Sequence, residues 1–181
     1  MEEIVEVLLD VTGKLESAGI PYMISGSIAG NMYAEPRFTN DVDVVVHITK
    51  NNKEKIVALF GKEYYISEIA IDDAFAGAGM FNIIQNKWVI KCDLILLKTD
   101  AFSQSAFDRK LKEKIEDKEV YFISAEDLIL QKLLWQKGLA SYTQIQDIKK
   151  IISARPNTLD RNYLMAWAVK LDVADILSKY L

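Results

Sequence analysis

One cysteine, Cys92, and one histidine, His47, are all the chain has of either residue. A lone cysteine closes no internal disulfide and fits a reducing compartment. With a single histidine beside it, no zinc-ligand pattern is complete, so His47 reads as structural and Cys92 as a small apolar filler. Positive charge is in the minority: 22 Lys and Arg against 26 Asp and Glu leave a formal net charge of −4, and no global basic field draws in nucleic acid. No apolar run approaches the ~18 residues of a membrane span. The chain opens Met-Glu-Glu-Ile, acidic where a secretory signal is basic. Internal repeats and low-complexity tracts are missing too. These absences lead to the expectation of a cytoplasmic protein that does not enter a membrane.

What is present suffices for a sizeable core, because half of the 181 residues are hydrophobic. Ile4, Leu8, Val11 and Leu15 recur at helical spacing over 2–18, with Gly19 as the stop. Pro21 leads into a short strand, 22–25, and Gly26-Ser27 turn it into a short helix over 28–34. A second strand is expected over 41–48, a helix over 51–60 closed by Gly61, and a weaker helix over 67–76. Strands 80–85 and 88–97 flank Asn86-Lys87 as a hairpin, and a second hairpin turns around 116–118 with 119–123 as its return strand. From Ser124 the pattern is helical throughout, starting with a capping box to Asp127, and helices are expected over 125–137, 142–153, 158–170 and 172–180. The fold class that follows is α/β (α+β): a mixed sheet flanked by helices over 1–123, with a helical C-terminal region over 124–181 packed on it.

The stretch 24–48 carries the chemistry. Side chains alternate along a strand, so Asp41 and Asp43 share one face with Val45 and His47. Two carboxylates so placed repel each other unless one is protonated or a cation lies between them. Hard divalent ions are held by one or two carboxylates together with substrate phosphates. Gly26 and Ser27, ending a strand and opening a helix, place backbone N–H groups and a hydroxyl where a phosphate can be received. Asp93 interrupts a strand that is otherwise apolar after Lys91. A strand pair with Asp41 and Asp43 on one member and Asp93 on the other makes a three-carboxylate cluster suited to in-line displacement at phosphorus.

Gly26-Ser27, thirteen intervening residues, Asp41-Val42-Asp43 and then apolar residues, with Asp93 on a later strand, resemble the signature of the DNA polymerase β-like nucleotidyltransferase superfamily. The resemblance is closest to the small bacterial abortive-infection-type branch. Its Arg-x-Thr-x-Asp-x-Asp motif is matched by Arg37 to Asp43, its Asp-Leu-Ile-x-x-Lys-Leu helix by Asp127 to Leu133, and its Asp-Ile pair by Asp147-Ile148. Where branch members often carry an Arg or a second Asp shortly before that pair, this chain has Thr143 and Gln144.

The resemblance implies a magnesium-dependent transferase, with Mn2+ as a substitute, that moves a nucleoside monophosphate from a nucleoside triphosphate such as ATP to an acceptor hydroxyl. It implies that Asp41, Asp43 and Asp93 are catalytic and metal-binding, and that Gly26, Ser27, Arg37, Lys132 and Asp147 serve the nucleotide, the lysine toward phosphate with the aspartate holding it. An RNA end such as that of tRNA is the leading acceptor, with an antitoxin protein as partner in the toxin–antitoxin manner of that branch. A small molecule such as an aminoglycoside, a protein hydroxyl, and a non-catalytic binding module are the alternatives.

Each of these residues also has a structural reading. Asp41 and Asp43 can be polar residues entering a strand after a turn, and Asp93 can be salt-bridged by a neighbour such as Lys91. Gly26 and Ser27 can serve only the turn and the helix cap. Arg37, Lys132 and Asp147 can lie on solvated surfaces. The basic run 109–114 is read either as a solvated hairpin face or, with Lys132, as a contact for an acceptor phosphate. Trp88, Trp135 and Trp167 are expected in the core, and Phe81 and Asn82 are candidates for base readout.

Overall fold

The computed structural model describes residues 2–138 and 141–181. A seven-stranded mixed sheet forms its centre, with strands β1 (Tyr22–Ile24), β2 (Asp41–Val46), β3 (Tyr64–Ile66), β4 (Met80–Gln85), β5 (Ile90–Leu96), β6 (Leu111–Ile115) and β7 (Lys118–Phe122). Their spatial order is β3-β4-β5-β2-β1-β7-β6. The two hairpins, β4–β5 and β6–β7, are antiparallel, as is β1–β2, whereas β2 runs parallel to β5 and β1 parallel to β7. Val42, Val44 and Val46 of β2 and Cys92 and Leu94 of β5 alternate along their strands and are wholly buried, so one face of the sheet's centre is packed into the core.

Helices α1 (Glu2–Ser17), α2 (Gly26–Tyr33), α3 (Lys53–Phe60), α4 (Glu68–Asp73), α5 (Ala101–Asp108), α6 (Ala125–Gly138), α7 (Tyr142–Ala154), α8 (Arg161–Lys170) and α9 (Ala174–Leu177) flank the sheet. In α1 the expected stripe holds, with Leu8, Val11 and Leu15 buried. In α6 the wholly buried apolar residues are Leu128, Ile129, Leu130 and Leu133, too wide a set for one stripe because the helix is covered by α2, α7 and α8.

Two elements are additional to the sequence expectation. The edge strand β3 is three residues long with one buried side chain, Tyr64, and so carries no alternation to read. Helix α5 starts at Asp100, whose carboxylate accepts hydrogen bonds from the Ser103 backbone N–H at 2.9 Å and from the Ser103 hydroxyl at 2.7 Å. That is an N-cap without the Glu or Gln of a capping box. Several boundaries also move. The β4–β5 turn extends to Val89, which adopts a left-handed φ of 56°. The last two helices shrink to Arg161–Lys170 and Ala174–Leu177. Trp88 and Trp167 pack against the core, but Trp135 is 41% exposed, a correction explained by the cleft it borders.

The capping box at Ser124 is present, and it is the hub of a larger network. Asp127 is wholly buried. It accepts hydrogen bonds from Ser124 Oγ at 2.6 Å, Tyr163 Oη at 2.6 Å and Arg109 Nε at 3.3 Å. The Arg109 guanidinium also stacks 3.8 Å from the Tyr163 ring centroid. One carboxylate thus joins the C-terminal end of α5, the start of α6 and α8. Asp127→Ala should cost about 2–3 kcal/mol, the scale of losing hydrogen bonds to a charged group, and lower the melting temperature by roughly 4–12 °C. An unchanged melting temperature in thermal denaturation would show that the network contributes nothing to holding the helical region.

Candidate functional site

The parallel register of β2 on β5 sets Asp41 opposite Lys91 and Asp43 opposite Asp93. All four side chains project from one sheet face, because each pair is two residues from the other along its strand. Asp93 is 7% exposed. Its Oδ1 accepts from Asn82 Nδ2 at 2.9 Å, and its Oδ2 accepts from Lys91 Nζ at 2.9 Å. The same ammonium lies 3.8 Å from Asp41 Oδ2. Among the described residues, no three His, Cys, Asp or Glu side chains gather as a group shaped to hold a metal ion; in the acidic cluster, the corner beside Asp93 is taken by Lys91.

Asp43 faces the chain turn between β1 and α2. The Ser25 backbone N–H donates to the Asp43 carbonyl at 2.9 Å, which fixes the end of β1 against β2. Gly26 follows at φ +62°, and a Cβ built there would lie 1.8 Å from Asp43 Oδ2. Glycine is therefore required twice, for the backbone angle and for the space. Burial, then the nearby charges of Asp93 and Asp41, push the Asp43 carboxyl above its ordinary pKa, against the pull of Lys91 and Lys132.

The remaining site residues meet in a second network beside this turn. Asp147 accepts from Arg37 Nε at 3.0 Å and Nη2 at 3.2 Å, and from Lys132 Nζ at 2.8 Å. Lys132 is 1% exposed and also donates to Gln144 Oε1 at 3.0 Å. Burial is the largest influence on both charged partners. It pulls the Lys132 ammonium below its ordinary pKa, whereas at Asp147 it is outweighed by the hydrogen bonds from Arg37 and Lys132, which hold that carboxyl down. Arg37 Nη2 donates to Ser27 Oγ, leaving the hydroxyl proton of Ser27 free to be given elsewhere. Asn31 clamps the Arg37 backbone, accepting from its N–H at 3.0 Å and donating to its carbonyl at 2.9 Å.

The structure thus brings together Gly26, Ser27, Arg37, Lys132 and Asp147 on one side of Asp43, and Asp41 and Asp93 on the other. Three residues lay beyond the sequence reading of the site. Asn31 resembles any helix asparagine in sequence. Gln131 supports the turn by accepting from Ser25 Oγ at 2.6 Å. Gln144, noted only as a departure from the branch pattern, supplies an acceptor to the buried lysine. Two expectations are corrected. Phe81 is buried in the core, so it reads no base, and Asn82 is occupied by Asp93. The basic run does not form a patch with Lys132: Arg109 is tied to Asp127, Lys110 lies 4.1 Å from the Phe107 ring centroid, and Lys112 pairs with Glu119 at 2.8 Å.

Neither a family model nor a curated protein sequence matches the chain. Solved structures match it through fold. An antigenic nucleotidyltransferase-like protein from Paracoccidioides brasiliensis is 19% identical, with a TM-score of 0.57 over 97% of this chain and 91% of its own. The antibiotic-resistance factor ANT(2'')-Ia is 13% identical, with a TM-score of 0.65 over 99% and 94%. The lincosamide antibiotic adenylyltransferase LnuA, bound to lincomycin, is 14% identical, with a TM-score of 0.57 over 85% and 98%. The chain has the fold of nucleotidyltransferase-like proteins.

The Asp43 environment predicts a pH-dependent stability. A carboxyl whose folded pKa is raised costs stability above that pKa, and the cost disappears as pH falls toward the ordinary value of 3.8. Metal-free Asp43→Asn should therefore melt a few degrees above the parent at pH 7, with the gap closing as the pH is lowered to about 4. Calorimetry of both proteins across that range checks it, and equal melting temperatures at pH 7 would show that Asp43 carries no such cost.

Proposed function

We propose that the protein transfers a nucleoside monophosphate from a nucleoside triphosphate to the hydroxyl of a compact acceptor, with Mg2+, or Mn2+ in its place, held by Asp41 and Asp43. The single observation that carries this reading is the placement of Asp41, Asp43 and Asp93 on one sheet face, with Asp43 directly against Gly26. The residues fit a divalent ion. Asp43 is crowded by the charges of Asp93 and Asp41, and a cation relieves that repulsion; the missing Cβ of Gly26 is what lets the carboxylate sit against the start of α2. Such an ion supplies charge neutralisation at the phosphate oxygens.

The chain's own groups do the rest. Ser27, its oxygen oriented by Arg37, donates its hydroxyl proton to a distal phosphate, and the start of α2 presents backbone N–H groups to the same anion. Arg37 and Lys132, both paired to Asp147, keep positive charge beside the triphosphate. They act from a fixed frame, so little reorganisation accompanies the reaction. Asp93 accepts the proton of the acceptor hydroxyl. The resulting oxygen attacks the α-phosphorus, the bond to the bridging oxygen breaks, and pyrophosphate leaves.

A compact acceptor is favoured over an RNA end by a cleft of about 410 Å³ on the same sheet face. Val45 and Ile95, two residues beyond Asp43 and Asp93 and on the same face, floor it, and Met23, Phe102, Leu134 and Trp135 wall it. At ~3.3 Å per residue, that floor begins about 7 Å from the carboxylates. Among its lining residues only Lys98 carries positive charge, which suits a largely apolar small molecule better than a polyphosphate chain. The likeness to two antibiotic-directed proteins, ANT(2'')-Ia and LnuA, supports the same choice.

The test is incubation with each α-phosphate-labelled nucleoside triphosphate and Mg2+, separately with total RNA, lincomycin, tobramycin and other small hydroxyl compounds. Label should appear on a small molecule, fall at least 100-fold in Asp41→Ala, and fall with Trp135→Arg while nucleotide binding persists. Ser27→Ala should weaken nucleotide affinity roughly 10- to 100-fold, the worth of one hydrogen bond to a charged phosphate. Label on RNA alone would overturn the acceptor assignment. Absence of nucleotide binding would overturn the transferase reading.

A further inference from the structure

Lys91 stands inside the acidic cluster rather than at its rim. Its position is set by the sheet: it is opposite Asp41 in the parallel register and two residues before Asp93 on the same face. Its ammonium is 2.9 Å from Asp93 Oδ2 and 3.8 Å from Asp41 Oδ2. The other oxygen of Asp93 is held by Asn82. Both Asp93 oxygens therefore have protein donors, whereas no hydrogen bond from the described residues reaches the Asp43 carboxylate. The three carboxylates are thus unequal: those of Asp41 and Asp43 accept no hydrogen bond from the described residues, and that of Asp93 is committed to a lysine and an amide.

We infer that the Lys91 ammonium is the resident cation at the corner a second divalent ion would otherwise fill, so that the site takes up one divalent ion, on Asp41 and Asp43, rather than two. Three carboxylates and one ammonium leave two negative charges, which one divalent ion neutralises. A second divalent ion within the ~3.5–4 Å of a two-metal pair would lie against the ammonium, where like charges repel. Asp93, held by Lys91 and Asn82 instead of by a metal, receives the acceptor proton on a lone pair those two donors leave unused. Lys91 is then a positioning residue: it fixes Asp93 and sets the ion count. This inference rests on the reading of Asp41 and Asp43 as the divalent-ion ligands.

The test counts ions without turnover. Mn2+ is titrated into the protein with saturating α,β-methylene-ATP, followed by electron paramagnetic resonance and corrected by the nucleotide-only titration. The parent should bind one Mn2+ per chain, Lys91→Arg one, and Lys91→Met two. The Lys91 side chain is 39% exposed, so its truncation leaves no buried void, and circular dichroism verifies the fold of each variant. Two ions in the parent would overturn the inference and leave the Asp41–Asp43 site standing. One ion in Lys91→Met would overturn it likewise, since the lysine would then have excluded nothing. No Mn2+ above the nucleotide-only curve in the parent, or uptake unaffected by Asp41→Ala, would instead overturn the underlying site, and this inference with it.

Discussion

The approach of the Gly26 backbone to the Asp43 carboxylate is the constraint on which the site depends. Helix α2 begins where no side chain fits, since a Cβ at Gly26 would meet Asp43 Oδ2 at 1.8 Å. The contact sets the first turn of α2 beside a carboxylate that is itself pressed by two more. The arrangement destabilises the isolated protein, because a partly buried carboxyl crowded by like charges is driven toward its neutral form.

The surrounding fold makes this arrangement rigid. The wholly buried residues of β2 and β5 fix the register that faces Asp43 with Asp93, and a slip of one residue would turn every carboxylate into the core. On the helical side, Lys132 and Asp147 are both nearly inaccessible, and Arg37 reaches them from the loop between α2 and β2. Removing either buried partner leaves the other's charge uncompensated. The loop that carries Arg37 into position is therefore tied to two helices far along the chain, which couples the order of the turn to the docking of α6 and α7.

Much of this was legible in the sequence. The Asp-x-Asp strand entry, the Gly-Ser turn and the later strand Asp93 mark out the candidate site, since period-two alternation assigns the face. Their register does not follow from alternation: that β2 lies parallel to β5, with Lys91 beside Asp41, depends on the order in which strands enter the sheet. The Lys91–Asp93 pair, the rival to the catalytic reading, is present, and the salt bridge is part of the cluster. Arg37, Lys132 and Asp147 were credited through the resemblance alone. Only the packing of α2 on α6 and α7 shows that they form one network, and that Gln144 completes it in place of a charged residue. Trp135 was read as core because tryptophan usually is; it borders the cleft instead. The strand β3 and the helix α5 were not foreseen because three residues carry no period and the Asp100 cap lacks its acidic partner.

The account stands on Asp41 and Asp43 together forming a cation site against the Gly26–Ser27 turn. Anomalous scattering from crystals grown with Mn2+ and α,β-methylene-ATP measures this most directly. The predicted result is a manganese peak bridging the Asp41 and Asp43 carboxylates, with the nucleotide phosphates over the start of α2. A peak elsewhere, or a nucleotide bound away from Ser27, would contradict it.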